Sequence, residues 1–203
     1  MKIISFPPKG WEANSYLVID SGQAALIDAG APAGSVLDAL KNEEAELKYI
    51  LLTHGHFDHT ITADALREAT KANLAIHRDD AEMLSDPEKS ALATFLGRYD
   101  TVNPCDILLD GKQEISLGGI KISVIHTPGH SKGSVCYLAC NSLFTGDTLF
   151  NGGYGRYDLH GGDFGKLCAS LSSLKELDGG LEIFPGHGDT AVLKTALNYL
   201  NFI

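Results

Sequence analysis

The amino-acid sequence predicts a layered α/β sandwich made of two strand-rich halves, each covered by helices. Short strand-like runs bounded by glycine or proline alternate with helical stripes through residue 84. The same alternation returns after residue 106, without a detectable sequence repeat. The 203 residues are 44% hydrophobic and 21% charged, an ordinary globular composition. That length supports a real core in a single domain, residues 1–203, or in two tightly fused halves. No linker of biased composition divides it.

Residues 3–6, 15–19 and 24–28 read as strands, and Ser21-Gly22 is the tight turn between the last two. Pro32 opens a helix whose Val36, Leu37 and Leu40 fall on one face. Residues 47–52 end in the apolar run Tyr49-Ile50-Leu51-Leu52, the signature of a strand buried on both faces. Residues 63–71 read as a helix, 73–77 as a strand and 79–84 as a short helix with an acidic first turn. Residues 86–105 carry little signal beyond a helix over 87–96. A second strand series follows at 107–109, 113–117, 120–125, 134–139 and 142–144. Residues 149–162 form a Gly-rich loop too long for a mere connector, and loops of that kind usually serve function. Leu167, Leu171, Leu174 and Leu177 mark a helix, 182–184 a last strand and 191–200 a closing helix.

The formal net charge of −10 opposes non-specific binding to nucleic acid or to an anionic membrane. Four cysteines, at 105, 136, 140 and 168, have neither zinc-type spacing nor the density of a disulfide scaffold. Cys136 and Cys140, four apart in a strand-like run, are expected on one face as small core residues. The apolar stretch at the N-terminus is too short for a signal peptide, and no run approaches a membrane span. A cytoplasmic location is the expectation.

The chemistry concentrates in His54-Gly55-His56-Phe57-Asp58-His59, directly after the buried strand at 47–52. In extended backbone residues i and i+2 share a face, so His54 and His56 point the same way. Asp58 and His59 follow as the chain turns and can aim at a second point nearby. His130 (in Thr127-Pro128-Gly129-His130), Asp147 (in Thr145-Gly146-Asp147) and His187 (in Pro185-Gly186-His187) each stand just past an apolar run, beside glycine or proline. Loops at strand ends are where a rigid sheet gathers ligands. Five histidines and two aspartates exceed one tetrahedral zinc, and suit two cations about 3.5–4 Å apart that share a carboxylate.

This motif set resembles the metallo-β-lactamase superfamily. Gly146-Asp147-Thr148-Leu149-Phe150, Gly155-Arg156-Tyr157-Asp158 and Gly161-Gly162-Asp163 are similar to its small glyoxalase II-like, or hydroxyacylglutathione hydrolase-like, branch. The resemblance runs from Asn14-Ser15-Tyr16-Leu17-Val18 to Pro185-Gly186-His187-Gly188. It implies a four-layer αβ/βα sandwich with the site along one edge of the two sheets. It also implies one metal on His54, His56 and His130, a second on Asp58, His59 and His187, and a bridging Asp147. Asp28 matches an early aspartate that orients ligand imidazoles. The metals implied are two divalent ions, zinc by default, with iron or manganese also compatible with His/Asp donors.

The implied activity is hydrolysis of a hydroxyacyl-glutathione thioester, with a metal-activated hydroxide attacking the acyl carbonyl and Asp58 orienting it. Full-length glyoxalase II enzymes add a C-terminal helical portion that supplies much of their glutathione recognition. The present chain ends soon after its last motif, so looser glutathione binding or another acyl substrate is expected. The alternatives are a persulfide dioxygenase with one iron on His54, His130 and Asp147, and a hydrolase of a non-glutathione ester or lactone. The missing secretory signal and the Asp58-His59 pair argue against a β-lactamase. Arg156 either anchors a substrate carboxylate or buttresses its loop, while Tyr154 and Phe150 either wall the pocket or pack. His77 and His126 are expected as packed histidines, and His160 and Lys132 as solvated.

Overall fold

The computed structural model describes residues 1–200, so the last three residues of the expected domain lie outside the described residues. The first half runs β1 (Lys2–Phe6), β2 (Ser15–Asp20), β3 (Gln23–Ile27), α1 (Ala33–Asn42), β4 (Glu46–Leu51), α2 (Phe57–Thr60), α3 (Ala63–Thr70) and β5 (Asn73–His77). A 3₁₀ turn (Ala81–Ser85), α4 (Leu92–Leu96) and β6 (Ile107–Leu109) complete it. The second half runs β7 (Glu114–Leu117), β8 (Ile120–His126), β9 (Val135–Ala139), β10 (Ser142–Gly146), α5 (Phe164–Ser173), a 3₁₀ turn (Leu174–Glu176), β11 (Glu182–Pro185), β12 (Ala191–Val192) and α6 (Leu193–Asn198).

Two six-stranded mixed sheets result, ordered β1-β2-β3-β4-β5-β6 and β12-β11-β10-β9-β8-β7. The period-2 alternation of each strand decides the layers. On β2, Leu17 and Ile19 face outward and pack with Val36 and Leu40 of α1 and Leu66 of α3. Their neighbours Tyr16 and Val18 face inward, against Ile122, Val124, Tyr137 and Phe144 of the second sheet. Beyond that sheet, Cys136, Leu143 and Ile183 pack with Leu167 and Leu171 of α5 and Leu193 and Leu197 of α6. Helix, sheet, sheet, helix is the four-layer order expected.

Several elements depart from expectation. The strand at 107–109 belongs to the first sheet, pairing parallel with β5, rather than to the second series. The helix expected over 87–96 shrinks to α4 because Ala91 takes a left-handed φ of 66°. The closing helix begins two residues late, since Ala191 and Val192 pair with β11 first. Cys136 is buried, but Cys140 is exposed: it has left β9 and sits in the turn at φ 52°. No helix among the described residues is long and apolar enough to cross a membrane.

Two hydrogen bonds tie β4, which delivers the histidine cluster, to the second sheet. The buried Tyr137 hydroxyl donates to the Leu52 carbonyl (2.7 Å), and the Val135 amide to the Thr53 carbonyl (2.9 Å). The loop carrying His130 is pressed against the start of α5. Gly129 has φ 137°, and a Cβ there would lie 2.2 Å from the Leu167 nitrogen. Asp163 caps that helix by accepting from the Lys166 amide (3.0 Å).

Candidate metal centre

The loops leaving β4, β8, β10 and β11 meet at one edge of the two sheets. His54 Nε2 and His56 Nδ1 lie 3.1 and 2.9 Å from His130 Nε2, so three imidazole nitrogens converge on one point. Beside them, His187 Nε2 lies 3.1 Å and His59 Nε2 3.8 Å from Asp58 Oδ2. Asp147 stands between the two groups. Its Oδ1 is 3.3 Å from His59 Nε2, while its Oδ2 is 3.6 Å from His130 Nε2 and 3.7 Å from His187 Nε2. All seven residues singled out from the sequence are thus brought together.

The outer nitrogens fix how the rings present themselves. His59 Nδ1–H donates to Asp28 Oδ2 (2.8 Å), His130 Nδ1–H to the Arg156 carbonyl (2.6 Å), and His54 Nδ1–H to Thr53 Oγ1 (3.1 Å). In the neutral form of each ring this leaves Nε2 as a lone pair facing the centre, the tautomer a cation requires; at His59, whose pKa the neighbouring carboxylates raise, a cation would take the place of the Nε2 proton. Asp28 is buried and also accepts from the Thr53 amide (2.7 Å) and hydroxyl (2.8 Å), so it organises both His59 and, through Thr53, His54.

Three buried atoms of the cluster, His56 Nε2, His59 Nε2 and Asp147 Oδ1, have no hydrogen-bond partner among the described residues, and the last two lie between the two donor groups. Leaving them unmet costs roughly 1–3 kcal/mol each. Divalent cations answer that cost, and the donor set of imidazoles and carboxylates suits zinc, iron or manganese. Gly186 is what lets the groups close in. A Cβ there would lie 2.2 Å from Asp147 Oδ1 and 2.6 Å from His59 Cε1.

The electrostatics follow from burial and sign. Burial, with His59, His130 and His56 as like-charged neighbours, holds the His54 imidazole well below its usual pKa. Burial and His130 push His56 down to about 3. Burial opposes charge on His59 too, but Asp28, Asp58 and Asp147 outweigh it and raise that ring well above the ordinary value. Burial likewise disfavours the Asp147 and Asp58 carboxylates. His59 and its neighbours overcome it and keep both ionised.

A cavity of about 520 Å³ opens over the centre. Phe150 and Arg156 line it, together with Trp11, Phe57, Ala91, Phe95, Leu96 and Leu159, which sequence reasoning did not single out. Tyr154 is not on the wall. The backbone pairing of Phe150 with Gly153 turns the chain, so Phe150 stands 6.1 Å from the His187 ring while Tyr154 packs back against the α5 core. Of the two roles left open for Arg156, the structure favours buttressing. Its guanidinium donates to both carboxylate oxygens of Asp158 (2.7 and 2.9 Å), and its carbonyl holds His130.

His77 and His126 are packed against each other, with ring centroids 4.2 Å apart and planes 10° apart. Asp79 is close to both. Lone pairs in two stacked planes run parallel and do not converge on a cation, and His126 Nε2–H is already given to the Lys132 carbonyl (2.9 Å). Lys132 is exposed, and His160, expected to be solvated, meets Glu82 Oε1 at 3.1 Å. A buried acid was missed altogether. Asp80 accepts from the Gly55 amide (3.2 Å), the Ser131 hydroxyl (2.5 Å) and the Gly133 amide (2.6 Å), joining the loop of His54 and His56 to that of His130.

The family model described as the metallo-beta-lactamase superfamily matches residues 8–187. The hydroxyacylglutathione hydrolase of Anaeromyxobacter dehalogenans (strain 2CP-C) is 37% identical over 179 residues, which cover 88% of this chain and 62% of that protein. Among solved structures, the BLEG-1 B3 metallo-beta-lactamase superposes with a TM-score of 0.92 at 33% identity, covering 99% of each chain. TTHA1623 in a di-iron-bound form superposes with a TM-score of 0.83 at 31% identity, covering 100% of each.

Proposed function

Because the chain belongs to the metallo-β-lactamase superfamily, we propose that it is a dinuclear metal-dependent hydrolase of acyl thioesters, the class that hydroxyacyl-glutathione represents. The observation that carries the reading is the pair of donor sets sharing Asp147, with His59 Nε2 and Asp147 Oδ1 buried and unpartnered between them. His54, His56 and His130 would hold one cation, and Asp58, His59 and His187 the other.

When bound, such a pair of cations supplies Lewis acidity and a water acidic enough to attack near neutral pH. The side chains do the rest. Asp58, kept ionised by His59 and His187, accepts a hydrogen bond from the attacking water and takes its proton. The water oxygen bonds to the acyl carbon, the C–S bond breaks, and the thiolate leaves with the sulfur electron pair. A thiolate is a good leaving group, so no dedicated general acid is required. Phe150 and the Trp11–Phe57–Phe95 wall shield the carbonyl from bulk water.

The test is metal analysis in parallel with S-lactoylglutathione hydrolysis. About two cations per chain and metal-dependent turnover are expected. His56→Ala and Asp147→Ala are expected to lose both metal and turnover. A variant that hydrolyses normally with an empty site would sink the reading. So would a fully loaded protein inert to a broad ester and thioester panel. The likeness to a B3 metallo-beta-lactamase favours one second reading, opening of a β-lactam amide at the same centre, which a nitrocefin arm of the assay tests.

A further inference from the structure

We propose that the cavity is shaped for an apolar chain on the substrate, an aliphatic or aromatic group on one side of the scissile carbonyl, rather than for a charged peptide such as glutathione. The proposal rests on the hydrolase reading and narrows its substrate class.

Apart from the five site residues His56, Asp58, His130, Asp147 and His187, every residue lining the cavity except Arg156 is apolar. The wall is continuous. Trp11 lies 5.1 Å from Phe57, and Phe57 lies 6.3 Å from Phe95, ring centroid to ring centroid. Phe57 is backed by Ala91, Leu92, Leu96 and Leu159, an apolar cluster separate from the three cores between and outside the sheets. Trp11 and Phe95 nonetheless remain 42% and 50% exposed. Large aromatics left open beside a reactive centre mark a surface that binds apolar matter.

Glutathione carries two carboxylates and an ammonium at neutral pH, and each needs a charged or hydrogen-bonding partner once it leaves water. The lining offers one cation, Arg156, and its guanidinium already forms a bidentate pair with Asp158 while lying 5.4 Å above the Phe95 ring. Its charge is answered within its own loop, and its position reinforces the aromatic wall.

The experiment compares four substrates on metal-loaded protein: the octanoyl and acetyl thioesters of N-acetylcysteamine, the acetyl thioester of octanethiol, and S-lactoylglutathione. One of the two octyl-bearing compounds should exceed both short or charged ones in kcat/KM by about tenfold or more. Which of them wins tells whether the acyl or the thiol side lies on the wall. Phe95→Ser should cut that preference about tenfold while metal content stays at the parent level. A higher kcat/KM for S-lactoylglutathione, or a preference that Phe95→Ser leaves intact, overturns the proposal.

A second readout does not need turnover. Trp11 is the only tryptophan in the chain. The non-hydrolysable octyl thioether of N-acetylcysteamine should therefore shift its emission saturably, and Phe95→Ser should weaken that binding about tenfold. If no thioester is hydrolysed, the hydrolase reading falls. The fluorescence titration then decides the present proposal alone, and the absence of a saturable shift overturns it.

Discussion

Replacing Asp28 by Asn changes one oxygen to an amide nitrogen at the point where the centre is organised. Asp28 is 2% exposed and sits at φ 58°, a left-handed conformation that Asn tolerates and Ala does not, so the backbone is preserved. The amide oxygen can stay on the Thr53 amide, 2.7 Å away. The new NH₂ then faces the Thr53 hydroxyl and His59 Nδ1–H, each 2.8 Å from the oxygen it replaces. A donor cannot satisfy His59 Nδ1–H. Losing that charge-assisted bond costs about 1.5–3 kcal/mol, or roughly 3–12 °C in Tm for a chain of this size. Alternatively the ring moves its proton to Nε2, the nitrogen that faces Asp58 and Asp147, and the lone pair a cation needs is lost. Either way, affinity at the Asp58, His59 and His187 position should fall about 10–100-fold, whereas the three-histidine position keeps its donors. Zinc titration against a chromophoric chelator reads the two positions separately. An Asp28→Asn protein that binds both cations as tightly as the parent refutes the reasoning.

Other perturbations have equally definite outcomes. Gly129→Ala places a Cβ against the Leu167 nitrogen at a backbone angle that L-residues avoid, and urea denaturation should show a loss of more than about 3 kcal/mol or no folded protein. Asp80 is raised above the usual carboxylate range by burial, which its three donors only partly offset. Its folded form therefore binds a proton that the unfolded chain has released, and its contribution to stability declines as pH rises through that interval. Asp80→Asn removes the slope, so the stability gap between parent and variant should shrink between pH 4 and pH 7; a constant gap contradicts this assignment. Stripping metal with a chelator should lower Tm, because a cation at 100 times its Kd adds about 2.7 kcal/mol to the folded state. Identical melting with and without chelator would mean that no cation is held.

The candidate centre is legible because each candidate ligand motif stands where an apolar run stops at glycine or proline, a local signal. His54, His56, Asp58, His59, His130, Asp147 and His187 all carry it, and the fold brings all seven together. The cavity wall carries no such signal. Trp11, Phe57 and Phe95 come from three separate segments and meet only in the folded chain, with Phe57 hidden inside the metal motif itself. The strand at 107–109 falls in the first sheet rather than the second; three residues have no pattern that chooses a partner. The choice is tertiary, made where Asp106 exchanges hydrogen bonds with the Leu74 amide and carbonyl. Tyr154 and Phe150 looked equivalent in a Gly-rich loop, and the turn closed at Gly153 sends them opposite ways. Asp80 reads only as one of the acidic first-turn residues of a short helix; its actual partners lie in loops distant in sequence.

The loop that carries His187 is held by the beginning of the chain. Asn14 Nδ2 donates to the carbonyls of Pro185 (3.0 Å) and Gly188 (2.9 Å), and the Tyr16 hydroxyl donates to Pro185 (2.7 Å). These bonds span sequence separations of 169 to 174 residues. Closing so long an interval is among the slowest steps available to a folding chain. During synthesis the three histidines at 54, 56 and 130 emerge and can be gathered well before His187 leaves the ribosome. The group of Asp58, His59 and His187 is thus the later of the two to assemble, and a cation held there would report that this long-range closure is complete.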